Sequence, residues 1–174
     1  MPYLQILMVA AATEPRRGAV FLYESVDVDR PAGSISEQIC GDGSWLAPLA
    51  TRATEDGSAL IVRIGPTPST SAVGPKVRIL LGGCRRRGVS TAVAIRWEAT
   101  ELRPVFPVLD GDLVVTAVED TKSRVTLQAS YRPPLGWLGE RFDQALMHRL
   151  AQATVRSFLA RVAEGLESQT NQTN

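Results

Sequence analysis

Histidine occurs once and cysteine twice in the 174 residues, and each scarcity excludes something. Structural zinc sites take four ligands, mostly thiolate and imidazole; His148, Cys40 and Cys84 fall short of that set, so no metal and no cofactor are expected. The two cysteines lie far apart and outside any CxxC arrangement. They predict neither a disulfide framework nor a zinc site, and such sparse usage fits a reducing cytosol. Charge of neither sign is in excess: Lys plus Arg is 19 against 18 for Asp plus Glu, a net +1, which argues against a nucleic-acid partner held through bulk charge. An apolar run long enough for a bilayer is missing too. The nearest approach, "LQILMVAAA" at 4–12, is about half the roughly 20 residues a spanning helix needs, and no basic residues precede it as they would in an export signal. Residues 1–18 are therefore expected to form an arm or an extra strand, without stable membrane insertion. No GxSxG, HExxH or P-loop occurs, and "GCRRRG" at 83–88 lacks the spacing of a phosphate cradle.

What the chain does contain is 44% hydrophobic and 21% charged residues, ordinary globular usage. A chain of this length buries about two-thirds or more of its unfolded surface, enough for a real core. "AVFLYESVDV" (19–28) has the β-branched and aromatic content of a first strand, stopped by "DRPAG". Ser34 with Glu37 three residues on forms a capping box for a short helix, and "GDG" separates it from a second helical piece at 45–53. Six strands are then predicted: 59–64, 76–81, 89–99, 105–109, 113–119 and 124–131, linked by "EDG", "GPTPSTSAVGP", "GGCRRRG", "DGD" and "EDTKS", which is hairpin and loop chemistry. The last strand alternates, with Val125, Leu127, Ala129 and Tyr131 on one face and Arg124, Thr126, Gln128 and Ser130 on the other, so one face is dry and the other wet.

From Leu138 to about Glu167 the periodicity is helical. Pro133 and Pro134 end the strand ladder before it and Gly136 frees the turn. One apolar stripe holds Leu138, Phe142, Ala145, Leu146, Leu150 and Ala153; a second holds Met147, Ala151, Val155, Phe158, Val162 and Leu166. The first is expected to face the sheet. The second packs on the short helices or the N-terminal arm, or alternatively makes a homodimer contact. "SQTNQTN" (168–174) reads as a polar tail. The simplest assembly is an α+β domain over 19–167: a bent antiparallel sheet of about seven strands wrapped around the long C-terminal helix, with two short helices after strand 1 closing one end.

This element order, with "IRWEAT" (95–100), "VFPVLDGDL" (105–113) and "YRPPLGWLGERFDQALMHRLAQATVRSFLARVAE" (131–164), resembles the SRPBCC superfamily, the START-like or helix-grip fold. That group includes lipid-transfer domains, polyketide cyclases and aromatases, and small actinobacterial proteins. The resemblance covers roughly residues 19–165. It implies a hydrophobic cavity between sheet and C-terminal helix. By pleat and stripe, Ile95, Trp97, Val115, Leu127, Ala129 and Tyr131 would point inward from strands and Leu138, Phe142 and Leu146 from the helix, with Trp45 and Phe106 at the mouth. Core packing accounts for each of these as well as ligand contact does.

The function expected is binding of a small hydrophobic molecule, lipid-like or aromatic. The alternatives are a polyketide cyclase or aromatase-like enzyme, in which Tyr131 orients a carbonyl or phenol, and a protein-interaction module. The single His148 falls near the second stripe, away from the expected cavity, which suits an exposed helix position better than a catalytic base. If Trp97 points in, Arg96 and Glu98 turn outward. Arg85, Arg86 and Arg87 are expected at a hairpin tip, solvated or set against an anion.

Overall fold

The computed structural model describes residues 19–41, 43–53, 60–66, 75–100, 108–131 and 144–168. The expected N-terminal arm, Phe106, Leu138, Phe142 and the end of the polar tail lie outside the described residues. In chain order the elements are β1 (Val20–Val28), α1 (Ala32–Ile39), a 3-10 helix (Ser44–Leu49), β2 (Ala50–Ala53), β3 (Leu60–Arg63), β4 (Lys76–Arg87), β5 (Ser90–Ala99), β6 (Leu109–Glu119), β7 (Lys122–Tyr131) and α2 (Gln144–Ser168).

The seven strands make one antiparallel sheet in the order β1-β7-β6-β5-β4-β3-β2. β2 to β7 meander back across it. β1 and β2 thus occupy opposite edges, and the chain between them must cross one end of the curled sheet. α1 and the 3-10 helix are that crossing: α1 packs on β6 and β7, and the 3-10 helix packs on β3 and α2. Arg30, just ahead of α1, ties it down by donating to Gln38 Oε1 (2.7 Å), to Ser34 Oγ and to the carbonyl of Leu166 on α2. Ser34 is therefore an acceptor inside α1 and not its cap. Pro31 holds the N-cap position, without a side-chain bond to the first turn.

The expected α+β helix-grip architecture is present, but three of its seven strands differ from those expected. The second helical piece ends at Leu49, and Ala50–Ala53 becomes β2, because pairing with β3 overrides the local helix preference of Ala and Arg in "ATRA". The break expected at "DGD" is absent, since β6 runs straight through it from Leu109 to Glu119; residues 105–107 of the expected strand lie outside the described residues. Gly111 makes this possible: a Cβ there would stand 2.4 Å from the Gln128 carbonyl oxygen and 2.7 Å from the Ala129 Cα. β4 likewise continues through "GGCRRR" by a bulge, leaving a two-residue turn at Gly88–Val89 in which Gly88 takes φ 55°. Arg85, Arg86 and Arg87 are thus exposed strand residues rather than a loop tip, and Arg85 is paired with Asp112 at 2.5 Å.

Cys40 and Cys84 are joined in a disulfide, with their Cα atoms 5.3 Å apart. Linear distance concealed the pair: the crossing segment carries Cys40 to the bulge that carries Cys84. Unpaired thiols were the ground for expecting a reducing cytosol, and the bridge removes it.

α2 also corrects the stripe assignment. Val155, Phe158, Leu159, Val162, Ala163 and Leu166 are buried in the core, whereas Leu150 of the other stripe is 45% exposed. The second stripe faces the sheet, and a homodimer through Val155, Phe158 and Val162 is ruled out by their burial inside the domain. The side chain of Leu146 lies outside the described residues. The helix is fastened to β1 by Arg156, which donates to both carboxylate oxygens of Glu24 at 2.7 and 3.0 Å. At its C-terminal end Glu167 accepts from the Asp29 backbone N–H. Among the described residues no helix is long and apolar enough to cross a membrane.

Candidate functional site

Strand register turns the concave face into a set of transverse rungs, because directly opposed residues share a face. Ile79, Trp97, Leu109, Tyr131 and Val20 form one rung across β4, β5, β6, β7 and β1. The next holds Leu81, Ile95, Gly111, Ala129 and Leu22, and the one beyond it Cys84, Val93, Leu113, Leu127 and Glu24. Val115 lies one rung further, between Thr91 and Val125. The expected alternation of β7 is present, and Ile95, Trp97, Val115, Leu127 and Tyr131 all point inward with Ala129. All are buried. The outward-facing Thr126 is buried as well, so the other face of β7 is not uniformly wet.

What fills the space above the rungs is α2. Phe158 meets the Trp97 indole edge to face, with ring centroids 5.4 Å apart, an arrangement worth about 0.5–1.5 kcal/mol beyond area burial. Trp45 comes from the 3-10 helix and is fully buried in the same core; it is no mouth residue. In this conformation the described inward candidates are packed against one another. A depression of about 350 Å³ crosses β4, β5 and β6 beside Leu80, Gly82, Ala94 and the exposed Arg96 and Asp110. Neither Trp97 nor Phe158 lines it.

Among the described residues two buried polar atoms lack partners: the Trp45 indole Nε1–H and the Ser123 hydroxyl. A buried donor left unbonded costs roughly 1–3 kcal/mol, so each is a position where a ligand oxygen or a water would be favoured. Sequence reasoning placed Trp45 in the site for its apolar bulk and gave no weight to its N–H. Ser123 it missed, although the period-2 pattern of β7 extended by one more step places it inward. Glu24 was missed as well. It lies on the concave face of an edge strand, where β alternation predicts an apolar residue, and its engagement by Arg156 explains the exception.

Tyr131 carries the phenol of the first rung, and burial pushes its pKa above the ordinary value of 10.0. The linkage has a definite sign. Below about pH 10 the phenol is protonated in both folded and unfolded chains, and stability is unaffected. As the pH rises from there through the raised folded value, the unfolded chain ionises first, so stability falls. Urea midpoints measured from pH 8 to 11 should decline less steeply in Tyr131→Phe than in the parent; coincident profiles would refute the assignment.

On the convex face Arg96 donates to Glu98 at 2.7 Å and to both oxygens of Asp110 at 2.8 and 3.0 Å. This is the outward placement expected once Trp97 points in. It is a solvated cluster of modest energetic weight and is separated from the concave face by the sheet. His148 is half-buried on α2. Among the described residues no group of three His, Cys, Asp or Glu is placed to hold a metal ion.

No protein-family model and no curated protein sequence matches the chain. Solved structures do, over nearly its whole length. A START superfamily protein from Mycobacterium smegmatis superposes with a TM-score of 0.50 at 10% identity, over 88% of this chain and 99% of that one. A conserved protein from Geobacillus kaustophilus gives 0.53 at 10% identity, over 86% and 97%. Norcoclaurine synthase from Thalictrum flavum, solved with dopamine and hydroxybenzaldehyde, gives 0.52 at 12% identity, over 90% and 88%. The chain has the START-like, helix-grip fold of the SRPBCC superfamily. At these identities the likeness is one of fold, and function has to be argued from the site.

Proposed function

We propose that this domain binds a small, largely apolar molecule on the concave face of its sheet, and that the molecule is a flat aromatic or polyketide-like compound bearing carbonyl or phenolic oxygens. The observation that carries the reading is the Trp45 indole Nε1–H, buried in an apolar core and without a partner among the described residues; Ser123, eight residues along β7 from Tyr131 and so about 26 Å away, is out of reach of one small molecule on the first rung. Apolar walls with a few polar anchors are the usual composition of a small-ligand site. The Ile79–Trp97–Leu109–Tyr131 rung supplies aromatic faces and a protonated phenol at neutral pH. Ile95, Val115 and Leu127 supply the apolar floor. α2 is the part that yields: among its described side chains the fully buried ones begin at Val155, and its earlier turn exposes Arg149 and Leu150. Displacing Phe158 from Trp97 opens space over the first rung. Phe106 is kept as a wall residue on the strand pattern alone; Leu138, Phe142 and Leu146 share the stripe of the exposed Leu150, so the pattern no longer places them in the wall.

Binding is favoured over turnover by the state of the polar groups on this face. Glu24 is committed to Arg156, which leaves the Tyr131 phenol without a described carboxylate or imidazole to exchange its proton. The norcoclaurine synthase neighbour handles aromatic molecules within the same fold, which supports the ligand class and says nothing of catalysis in this chain. Native mass spectrometry of gently purified protein tests the reading, followed by titration with naphthoquinones, anthraquinones and fatty acids. Co-purified mass, or micromolar binding of an oxygenated aromatic, is the expected result. Uniformly empty protein that ignores the whole panel would sink it.

A further inference from the structure

The crossing segment is held at two ends. Where it leaves β1, Arg30 fastens it through Gln38, Ser34 and the Leu166 carbonyl. At the far end of α1 stands Cys40, bonded to Cys84 on β4 after α1 has passed over β7 and β6. The bridge therefore bolts the closure of the α1 end onto the opposite side of the curled sheet.

β4 is shaped for this contact. Leu81 opposes Ile95 and Cys84 opposes Val93, so Gly82 and Gly83 together face the single residue Ala94. Were the same residues paired regularly, Cys84 would oppose Ala92 and project from the convex face, since a one-residue shift of register reverses every side chain. The bulge is what brings Cys84 to the concave side. Gly82 suits the turn, because a Cβ there would meet the Ala94 Cβ at 2.9 Å. Gly43, at φ 80°, lets the chain after α1 settle against Leu81. The chain's only two cysteines thus meet at a backbone irregularity that serves to pair them.

Cys84 is also exposed, whereas Cys40 is half-buried. Arg86, two residues on and on the same face as Cys84, is a cationic neighbour that stabilises the Cys84 thiolate released in the second step.

We propose that Cys40–Cys84 is a reducible latch: a dithiol reductant opens it, freeing α1 and the 3-10 helix from β4 and giving a ligand access to the core from that end. One thiolate of the reductant attacks the exposed Cys84 sulfur, forming a mixed disulfide while the S–S bond breaks and Cys40 leaves as a thiolate that takes a proton from water. The second thiol of the reductant then attacks the mixed disulfide and releases Cys84. Two electrons and two protons pass to the protein, and the reductant becomes a disulfide. The 3-10 helix carries Trp45, so the same event loosens one of the two unpartnered donors. The access part of the proposal rests on the ligand-binding reading above; the latch itself does not.

The test compares full-length oxidised protein with protein reduced by dithiothreitol, thiol labelling confirming none and two free thiols respectively, and with the Cys40→Ser/Cys84→Ser variant. Amide exchange in α1 is expressed as a ratio to that in β6 and β7, which removes any change in global stability. The ratio should rise at least tenfold in the reduced protein and in the variant, and return on reoxidation. An unchanged ratio, or two free thiols in the oxidant-treated protein, overturns the latch. Release of anilinonaphthalene sulfonate is followed in parallel and should accelerate at least fivefold on reduction. A risen ratio with unaltered release would overturn the access role while leaving the latch, and failure of the probe to bind in either state would count against the ligand-binding reading alone.

Discussion

Reducing the Cys40–Cys84 bridge should lower the free energy of unfolding by about 4 kcal/mol, the chain-entropy value for a loop of this size. The two residues are 44 positions apart, so the bond denies the unfolded chain a large set of conformations and costs the folded chain few, since the bulge already places the two sulfurs together. Against a total stability of roughly 5–15 kcal/mol for a domain, a loss of that size is large. Urea unfolding of the oxidised and reduced proteins checks it. The midpoint should fall, and the m-value should rise as the unfolded state expands. Cys40→Ser/Cys84→Ser should coincide with the reduced parent. Equal midpoints would show that the bond does not form in solution.

Trp97→Ala should cost about 3–5 kcal/mol, the range for deleting a large aromatic from a packed core. Trp97 is only 5% exposed and lies between Ile79 and Leu109 on its rung, with Phe158 against its face. Its removal strips contacts from three strands and from α2, and the sheet, pinned by its hydrogen bonds, relaxes little into the void. Trp97→Phe keeps an aromatic edge for Phe158 and should lose less. The same measurement bears on the site. A loss below about 1 kcal/mol in Trp97→Ala would mean that the indole borders solvent-filled space and that the concave face is hollow in the free protein. A full loss means that a ligand must displace packed side chains to enter, so binding should be slow and tied to movement of α2.

Legibility followed the range of the interaction responsible. Alternation along β5 and β7 is set by the pleat, so the inward set Ile95, Trp97, Leu127, Ala129 and Tyr131 and the outward Arg96 and Glu98 could be read directly. The apolar stripe through Val155, Phe158 and Val162 was equally visible, but not which side of the helix met the sheet. Both stripes are apolar over much of their length, and the choice is made only when the curled sheet covers one of them, Val155, Phe158, Val162 and Leu166 being the side that is buried. The breaks assigned at "DGD" and "GGCRRR" followed the local preference of glycine for turns. In β6 and at the β4 bulge those glycines serve close approach between strands, which no local rule distinguishes from a turn. Both short elements after β1 were seen, but the strand at 50–53 was not, because only its pairing with β3 makes it a strand.

By itself the sequence determined the α+β class, the inward faces of the long strands and the apolar stripes of the C-terminal helix. All of these depend on residue type and on periods of two or 3.6, which act over a few residues. Tertiary structure alone decided that α1 crosses from β1 to the far side of the sheet, that Cys40 meets Cys84 there, which stripe of α2 is inside, and that the Trp45 N–H and the Ser123 hydroxyl end up buried without partners. Those outcomes depend on the order in which strands pair and on a one-residue bulge in β4, and their energies arise between residues that the chain brings together only once it has folded.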